Sequence, residues 1–307
     1  MAGWLEPVLR LLHYALLLGL FGWIAYRLIG LSRLNLGYDG HEDMTVGLVA
    51  AVAAPIVSLS LMLVSIAAMM GQSVTQLEWS SVKAMLTTTS MGWAFLTRMA
   101  VLSAALAALL GRRVIPRASP IAALLYGIAL TTLASSGHAA AGEGTWGLVH
   151  RLNDGIHLVA AGLWTGAIGW FVHLTTKAHR NPDSFPAEPL LKAMHGFAPL
   201  GVALVAVVAA TGIVNAQLTF GIANSFAVLG NSYGWLLTAK LALVGLMLVC
   251  GARNASNVRR RVRTVDGAGR SHAPALAALR LTLACELGLA IAILGLVAIL
   301  GMTSPIV

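Results

Sequence analysis

The chain has 307 residues, of which 58% are hydrophobic and only 10% charged, and its mean hydropathy is +0.82. A soluble domain carries about 25% charged residues, so this composition excludes a water-solvated globular surface and defines an integral membrane protein. The net charge of +9 is not a nucleic-acid signal, because it comes largely from arginines in the connections between apolar stretches, as the positive-inside rule predicts.

The apolar stretches suit ~20-residue helical spans, and the alternating ~10-residue strands of a membrane barrel are absent. Eight spans are predicted, over residues 8–29, 45–70, 91–110, 120–136, 146–176, 195–217, 233–255 and 275–302. The first is read as a span and not a signal peptide, since no small-residue cleavage site follows a short apolar region. Pro55 is expected to kink the second. The fifth is too long for an upright span and is expected to tilt or project. Cys250 and Cys285 fall inside apolar spans and do not indicate a disulfide framework. Residues 1–307 are therefore expected to form one all-α bundle of eight transmembrane helices, without a soluble domain or internal repeat.

Loop charge sets the expected orientation. Arg112, Arg113 and Arg117 lie in the third connection, Lys177, Arg180 and Lys192 in the fifth, and Arg253, Arg259, Arg260, Arg261, Arg263 and Arg270 in the seventh. These connections share one side, which the positive-inside rule makes cytoplasmic. Arg27 and Arg33 put the first connection there too, against Asp39, Glu42 and Asp43. Both termini are then expected to be periplasmic.

Each polar residue acquires a depth at ~1.5 Å per residue. His13 falls one to two turns below the outer surface, His138 at the outer end of the fourth span, and His150 and His157 in the outer half of the fifth. Ionisable groups at such depths are costly and usually functional. His150, Asp154 and His157 follow i, i+4, i+7 spacing and share a helical face. The two histidines are roughly 10 Å apart, too far to bind one ion unaided. They suit successive ions or the two flanks of a path, with Asp154 orienting either ring.

Met69, Met70, Met85, Met91 and Met302 also fall toward the outer side. Imidazole with thioether suits copper, whereas magnesium or calcium calls for clustered carboxylates. His13, His138, His150 and His157 are therefore the expected metal ligands, with Asp154, Met85, Met91, Met302 and Glu286 as supporting or path residues. Packing stays open as an alternative for His13 and for each methionine. His41, His173, His179, His195 and His272 lie in or near inner loops and are read as solvated or structural. Arg98 and Lys240 reach the depth of Asp154, so a structural charge pair with either is open. Cys250, Cys285 and Glu286 reach similar depth; a thiolate–carboxylate relay for Cu(I) and simple burial are both open. A second reading pairs His13 with His157 as axial ligands of haem b in an electron carrier. A third is a copper-binding sensor or docking protein. No nucleophile motif, phosphate loop or paired carboxylates point to an enzyme.

The run DGIHLVAAGLWTGAI in the fifth span, with GHA at 137–139 before it, resembles the copper resistance D (CopD) family of bacterial inner-membrane proteins. WAFLTR, TGIVNAQ, YGWLLTAKLALV followed by ARN, and LACELGL are similar to the family as well, so the resemblance covers nearly the whole chain. It implies eight spans with periplasmic termini and copper movement across the inner membrane, usually toward the cytoplasm, often beside a periplasmic copper carrier of the CopC type. Few residues precede the first span, so any such carrier is expected to be a separate protein. The sixth span opens HGFAPLG, departing from the arginine and serine that the family is expected to show near a phenylalanine, and no role is carried over to His195.

Overall fold

The computed structural model describes residues 4–31, 44–115, 117–137, 142–181, 187–264 and 273–305. His41, His138 and His272 lie outside the described residues. All described elements are helical, as hydrocarbon requires: a helix satisfies its backbone groups within one segment. The helices are α1 (Leu5–Tyr26), α2 (Met44–Met69), α3 (Trp79–Thr88), α4 (Ser90–Leu110), α5 (Ala118–Thr131), α6 (Gly144–Arg180), α7 (Ala187–Thr219), α8 (Ser225–Leu229), α9 (Ser232–Thr264) and α10 (Ala273–Leu300). Eight are long and apolar enough to cross a membrane: α1, α2, α4, α5, α6, α7, α9 and α10. The protein is a polytopic α-helical membrane protein with the expected number of spans.

The differences from the predicted boundaries have a physical cause. α7 starts and α9 ends about two turns beyond the hydropathy limits. Hydropathy finds where the apolar stretch stops, but the backbone ladder continues into water, supported on α7 by the Lys192–Glu188 pair at 2.7 Å. The connection 72–90 is also more ordered than a plain loop. It holds a 3₁₀ turn, Val74–Gln76, and the short helix α3. Thr89 separates α3 from α4: its hydroxyl bonds the Met85 carbonyl at 2.7 Å and accepts from the Gly92 N–H at 2.9 Å. α2 runs through Pro55.

α1 and α6 form the centre. α1 packs on α2, α5, α6 and α10, and α6 on α1, α5, α7 and α10. Their contact is close because it is lined by glycine. A methyl group on Gly22 would fall 2.1 Å from the Gly162 carbonyl oxygen, and one on Gly166 would fall 2.3 Å from the Gly22 backbone. Small residues of this kind let helix backbones approach in lipid, where packing replaces the hydrophobic effect as the driving force. One turn on, the Trp170 indole donates to the Trp23 carbonyl at 2.7 Å and the two rings stack at 4.1 Å. Gly301, just past α10, lies beside Arg10 and Tyr14. The start of α1 and the end of α10 therefore share one end of the bundle, called the termini end below.

Gly22→Ala should overpack the α1–α6 contact and cost about 1–3 kcal/mol, read as a lower unfolding temperature in detergent. Gly19→Ala is the control: no atom outside the local helix lies within 4 Å of its methyl position, so its unfolding temperature should match the wild type.

Candidate functional site

The most developed polar group joins α6 and α7 in the half of the bundle nearer the termini. The His157 Nδ1 lies 2.9 Å from Thr211 Oγ1. The Thr211 hydroxyl lies 2.6 Å from the Val207 carbonyl and 3.2 Å from the Val208 carbonyl, and the shorter contact assigns its hydrogen to Val207. The threonine oxygen therefore accepts from the ring, so Nδ1 carries the proton and Nε2 holds the lone pair. This is how a ligating histidine is ordinarily set: one nitrogen fixed by a hydrogen bond, the other open to a metal. Gly212 leaves room for the ring, whose Cε1 would be 3.8 Å from a methyl there.

Asp154 is held in the same group. Asn215 donates to Asp154 Oδ1 at 2.9 Å. The Asn153 amide donates to Asn215 Oδ1 and to the Thr211 carbonyl, both at 2.8 Å. Thr211 and Asn215 are four residues apart and share one face of α7. Lys240 on α9 lies within electrostatic reach of Asp154 and His157. Of the two basic residues expected at this depth, the structure brings Lys240 and not Arg98 to Asp154. Arg98 instead donates to Thr132 through Nε at 2.7 Å, bridging α4 to the 3₁₀ turn after α5.

His150 sits two turns before His157 on α6 and is buried. The expected spacing along one helical face therefore holds, roughly 10 Å between the two residues. His13 is elsewhere. It is fully buried, its Nε2 lies 3.2 Å from Ser58 Oγ on α2, and its Nδ1 has no partner. Arg10 and Arg98 are its charged neighbours. Arg10 is offset by Glu6 at 2.8 Å, leaving one uncompensated positive charge near the ring. His13 and His157 are thus engaged by different helices on opposite flanks of the α1–α6 pair. Each ring is held by its own partner, His13 by Ser58 of α2 and His157 by Thr211 of α7.

The methionines divide. Met85 and Met91 pack with Met62 and Met99 around Ile66, Val82 and Phe95, between α2, α3 and α4. Met302, beyond α10, is 45% exposed and apart from them. Glu286 on α10 is buried and accepts from Asn254 on α9, whose carbonyl oxygen accepts in turn from Thr282. The neighbouring Cys285 is exposed and Cys250 half-buried. A buried glutamate and an exposed cysteine on consecutive positions face apart, so Cys285 points away from the Glu286 carboxyl. His173 belongs to α6 and not to a loop, its ring set edge-on against Trp23 and Trp170 at 5.5 and 5.7 Å. Among the described residues no group of three or more His, Cys, Asp and Glu side chains converges as a metal site.

Thr211, Asn215, Asn153 and Asn254 were not singled out from the sequence. The available signal was a polar residue within an apolar span, present in TGIVNAQ and in ARN.

A helical bundle with paired polar networks in its apolar interior defines a multi-pass membrane protein with sites built between helices. Residues 1–148 match the "Copper resistance protein D-like, N-terminal domain" family and residues 191–300 the "Copper resistance protein D" family. The chain is 34% identical to Copper resistance protein D of Pseudomonas syringae pv. tomato, over 82% of each chain. It belongs to the copper resistance protein D family. It is also 33% identical to Copper transport protein CutJ of Bacillus subtilis (strain 168), over 44% of this chain and 24% of that one. Inner membrane protein YebZ of Escherichia coli (strain K12) is 31% identical over 40% of each. No solved structure matches significantly.

Asn215→Leu removes a donor to Asp154 and an acceptor from Asn153, and should cost about 1 kcal/mol or more, seen as a lower unfolding temperature in detergent. Ile213 on the same helix is 60% exposed, and Ile213→Leu should leave the unfolding temperature unchanged.

Proposed function

We propose that the protein moves copper across the bacterial inner membrane, from periplasm to cytoplasm, with the termini end of the bundle facing the periplasm. The family and the relatives named for copper resistance and copper transport support copper as the cargo. The relative named as an inner membrane protein supports the location, and the arginine-rich connections at the end opposite the termini support the orientation. The eight spans act as one unit.

The observation that carries the reading is the His157–Thr211 bond, which fixes the ring at the α6–α7 interface with the lone pair assigned to Nε2. The local charge supports it: Asp154 and Lys240 offset each other beside His157, whereas the positive charge near His13 opposes a second cation. Copper enters through His138 and His150 and passes to His157. Asp154 positions this face of α6 through Asn215. Met85 and Met91 lie between α2, α3 and α4, away from α6, and serve as a thioether-rich entry surface with Met302. His13 takes a packing role through Ser58. Copper held by one or two neutral donors at each step exchanges readily, as conduction requires. The protein carries out no covalent chemistry, and a separate periplasmic carrier of the CopC type delivers the ion.

His150→Ala and His157→Ala should each lower cellular copper accumulation toward that of cells lacking the protein, while His13→Ala should retain most of it. Thr211→Val should lie between, because the ring stays but its tautomer is no longer set. Unchanged accumulation in folded, normally expressed His150 and His157 variants would sink the reading.

A further inference from the structure

Glu286 is the only acidic residue among the described residues whose side chain is buried in the bundle, with a relative exposure of 3%. It lies between two apolar clusters. Leu279 and Leu283 of α10 pack with Trp170 and Leu174 of α6 on one side, and Ala290 packs with Ile168 and Met247 on the other. Positions 279, 283, 286 and 290 share one helical face, so the carboxyl points into the packed interior and not into lipid. Oε1 accepts from the Asn254 amide. Oε2 faces Gly251, where a methyl would be 3.7 Å away, so the absent side chain leaves that oxygen uncovered on the α9 side. Among the described residues no basic side chain reaches ion-pair distance of Glu286.

The surrounding titratable groups do not supply a counter-charge. On α9, Cys250 is half-buried and Arg253 exposed. On α6, His173 is held edge-on by Trp23 and Trp170. On α1, Tyr26 packs on Phe171 and Phe197. On α10, Arg280 is half-buried and Cys285 exposed. An ionised carboxylate with one amide donor and no cation is expensive inside a membrane bundle. The neutral acid keeps the same amide and costs far less, because an unpaired hydroxyl is much cheaper to bury than an unpaired charge.

We infer that Glu286 is a proton-binding site in the half of the bundle away from the termini, and that it releases its proton when a copper cation crosses at its level. The inference rests on the copper-transport reading for the exchange, but not for the proton. The step balances without redox chemistry. The O–H bond of the acid breaks, its electron pair stays on the carboxylate, the proton goes to water, and the carboxylate offsets the passing monovalent charge. Reprotonation from water restores the acid after the ion leaves. Glu286 touches neither His157 nor its network: about 15 residues of α6 separate the two levels, roughly 20 Å.

Two measurements test this. Infrared spectra of the purified protein at neutral pH should contain the carbonyl stretch of a protonated carboxylic acid. It should shift in heavy water, be absent from Glu286→Gln and persist, displaced, in Asn254→Leu. A spectrum identical in the wild type and Glu286→Gln would overturn the proton site. In vesicles loaded with a pH-sensitive dye and given Cu(I), the wild type should move about one proton against each copper ion, and Glu286→Gln none. Equal proton movement in both would overturn the exchange while leaving copper transport intact. Absence of copper flux in the wild type would overturn the transport reading and the exchange together, and the infrared comparison would still decide whether Glu286 holds a proton.

Discussion

Most buried polar side chains described in this bundle meet a partner on another helix, and that constraint shapes the rest of the structure. Hydrocarbon offers no hydrogen bonds, so a polar atom that faces inward must meet a partner or carry an energetic cost. The pairs are built across helices. His13 meets Ser58 between α1 and α2, and Arg98 meets Thr132 beyond α5. His157 and Asp154 meet Thr211 and Asn215 between α6 and α7, and Glu286 meets Asn254 between α9 and α10. Several of the short motifs that resemble the family hold the two halves of such pairs. DGIHL supplies Asp154 and His157, TGIVN supplies Thr211 and Asn215, and ARN and CEL supply Asn254 and Glu286. Residues tens of positions apart belong to one interaction.

The same constraint separates two histidines that look alike in the sequence. His13 and His157 sit at similar depth on neighbouring helices, yet their surroundings set different chemistry. Thr211 spends its hydrogen on a backbone carbonyl and must accept from His157, which fixes the tautomer and leaves Nε2 open. Around it an acid and an ammonium offset each other. His13 has an orphan Nδ1, but two guanidinium groups are close and only one carboxylate offsets them. An open nitrogen is therefore not sufficient for binding a cation; the sign of the surrounding charge decides between the two sites.

Much of the fold was legible in the sequence because hydropathy is a one-dimensional property. The eight spans and the i, i+4, i+7 alignment of His150, Asp154 and His157 follow from composition and helical period, and their boundaries miss only where helices continue into water. The partners were not legible. Thr211 and Asn215 are unremarkable polar residues until α7 is known to lie on α6, and helix adjacency and rotation depend on packing shape. Depth alone left Asp154 with two equal candidates, Arg98 and Lys240, and only the arrangement of helices chose Lys240. Depth likewise paired His13 with His157, whereas the structure gives them separate partners, Ser58 on α2 and Thr211 on α7. His173 nears the inner end of the apolar stretch, where depth leaves a solvated and a structural reading open, and its ring belongs to the tryptophan cluster inside the bundle.

Between the His157 network and the level of Glu286, α1 and α6 approach most closely. Gly22, Gly162 and Gly166 bring α1 and α6 together, and the Trp23–Trp170 stack fills the next turn. This stretch has no charged side chain and close packing, so it stabilises a cation poorly by ligation or by solvation. Adding donors there would deepen a trap and slow release. In the proposed exchange a single titratable carboxyl beyond it answers the difficulty in another way, neutral while the path is empty and negative while a cation is at its level. One imidazole held nearer the termini, a closely packed stretch without charge and one acid without a counter-charge beyond it are what the proposed exchange of charge rests on, in place of a continuous chain of ligands.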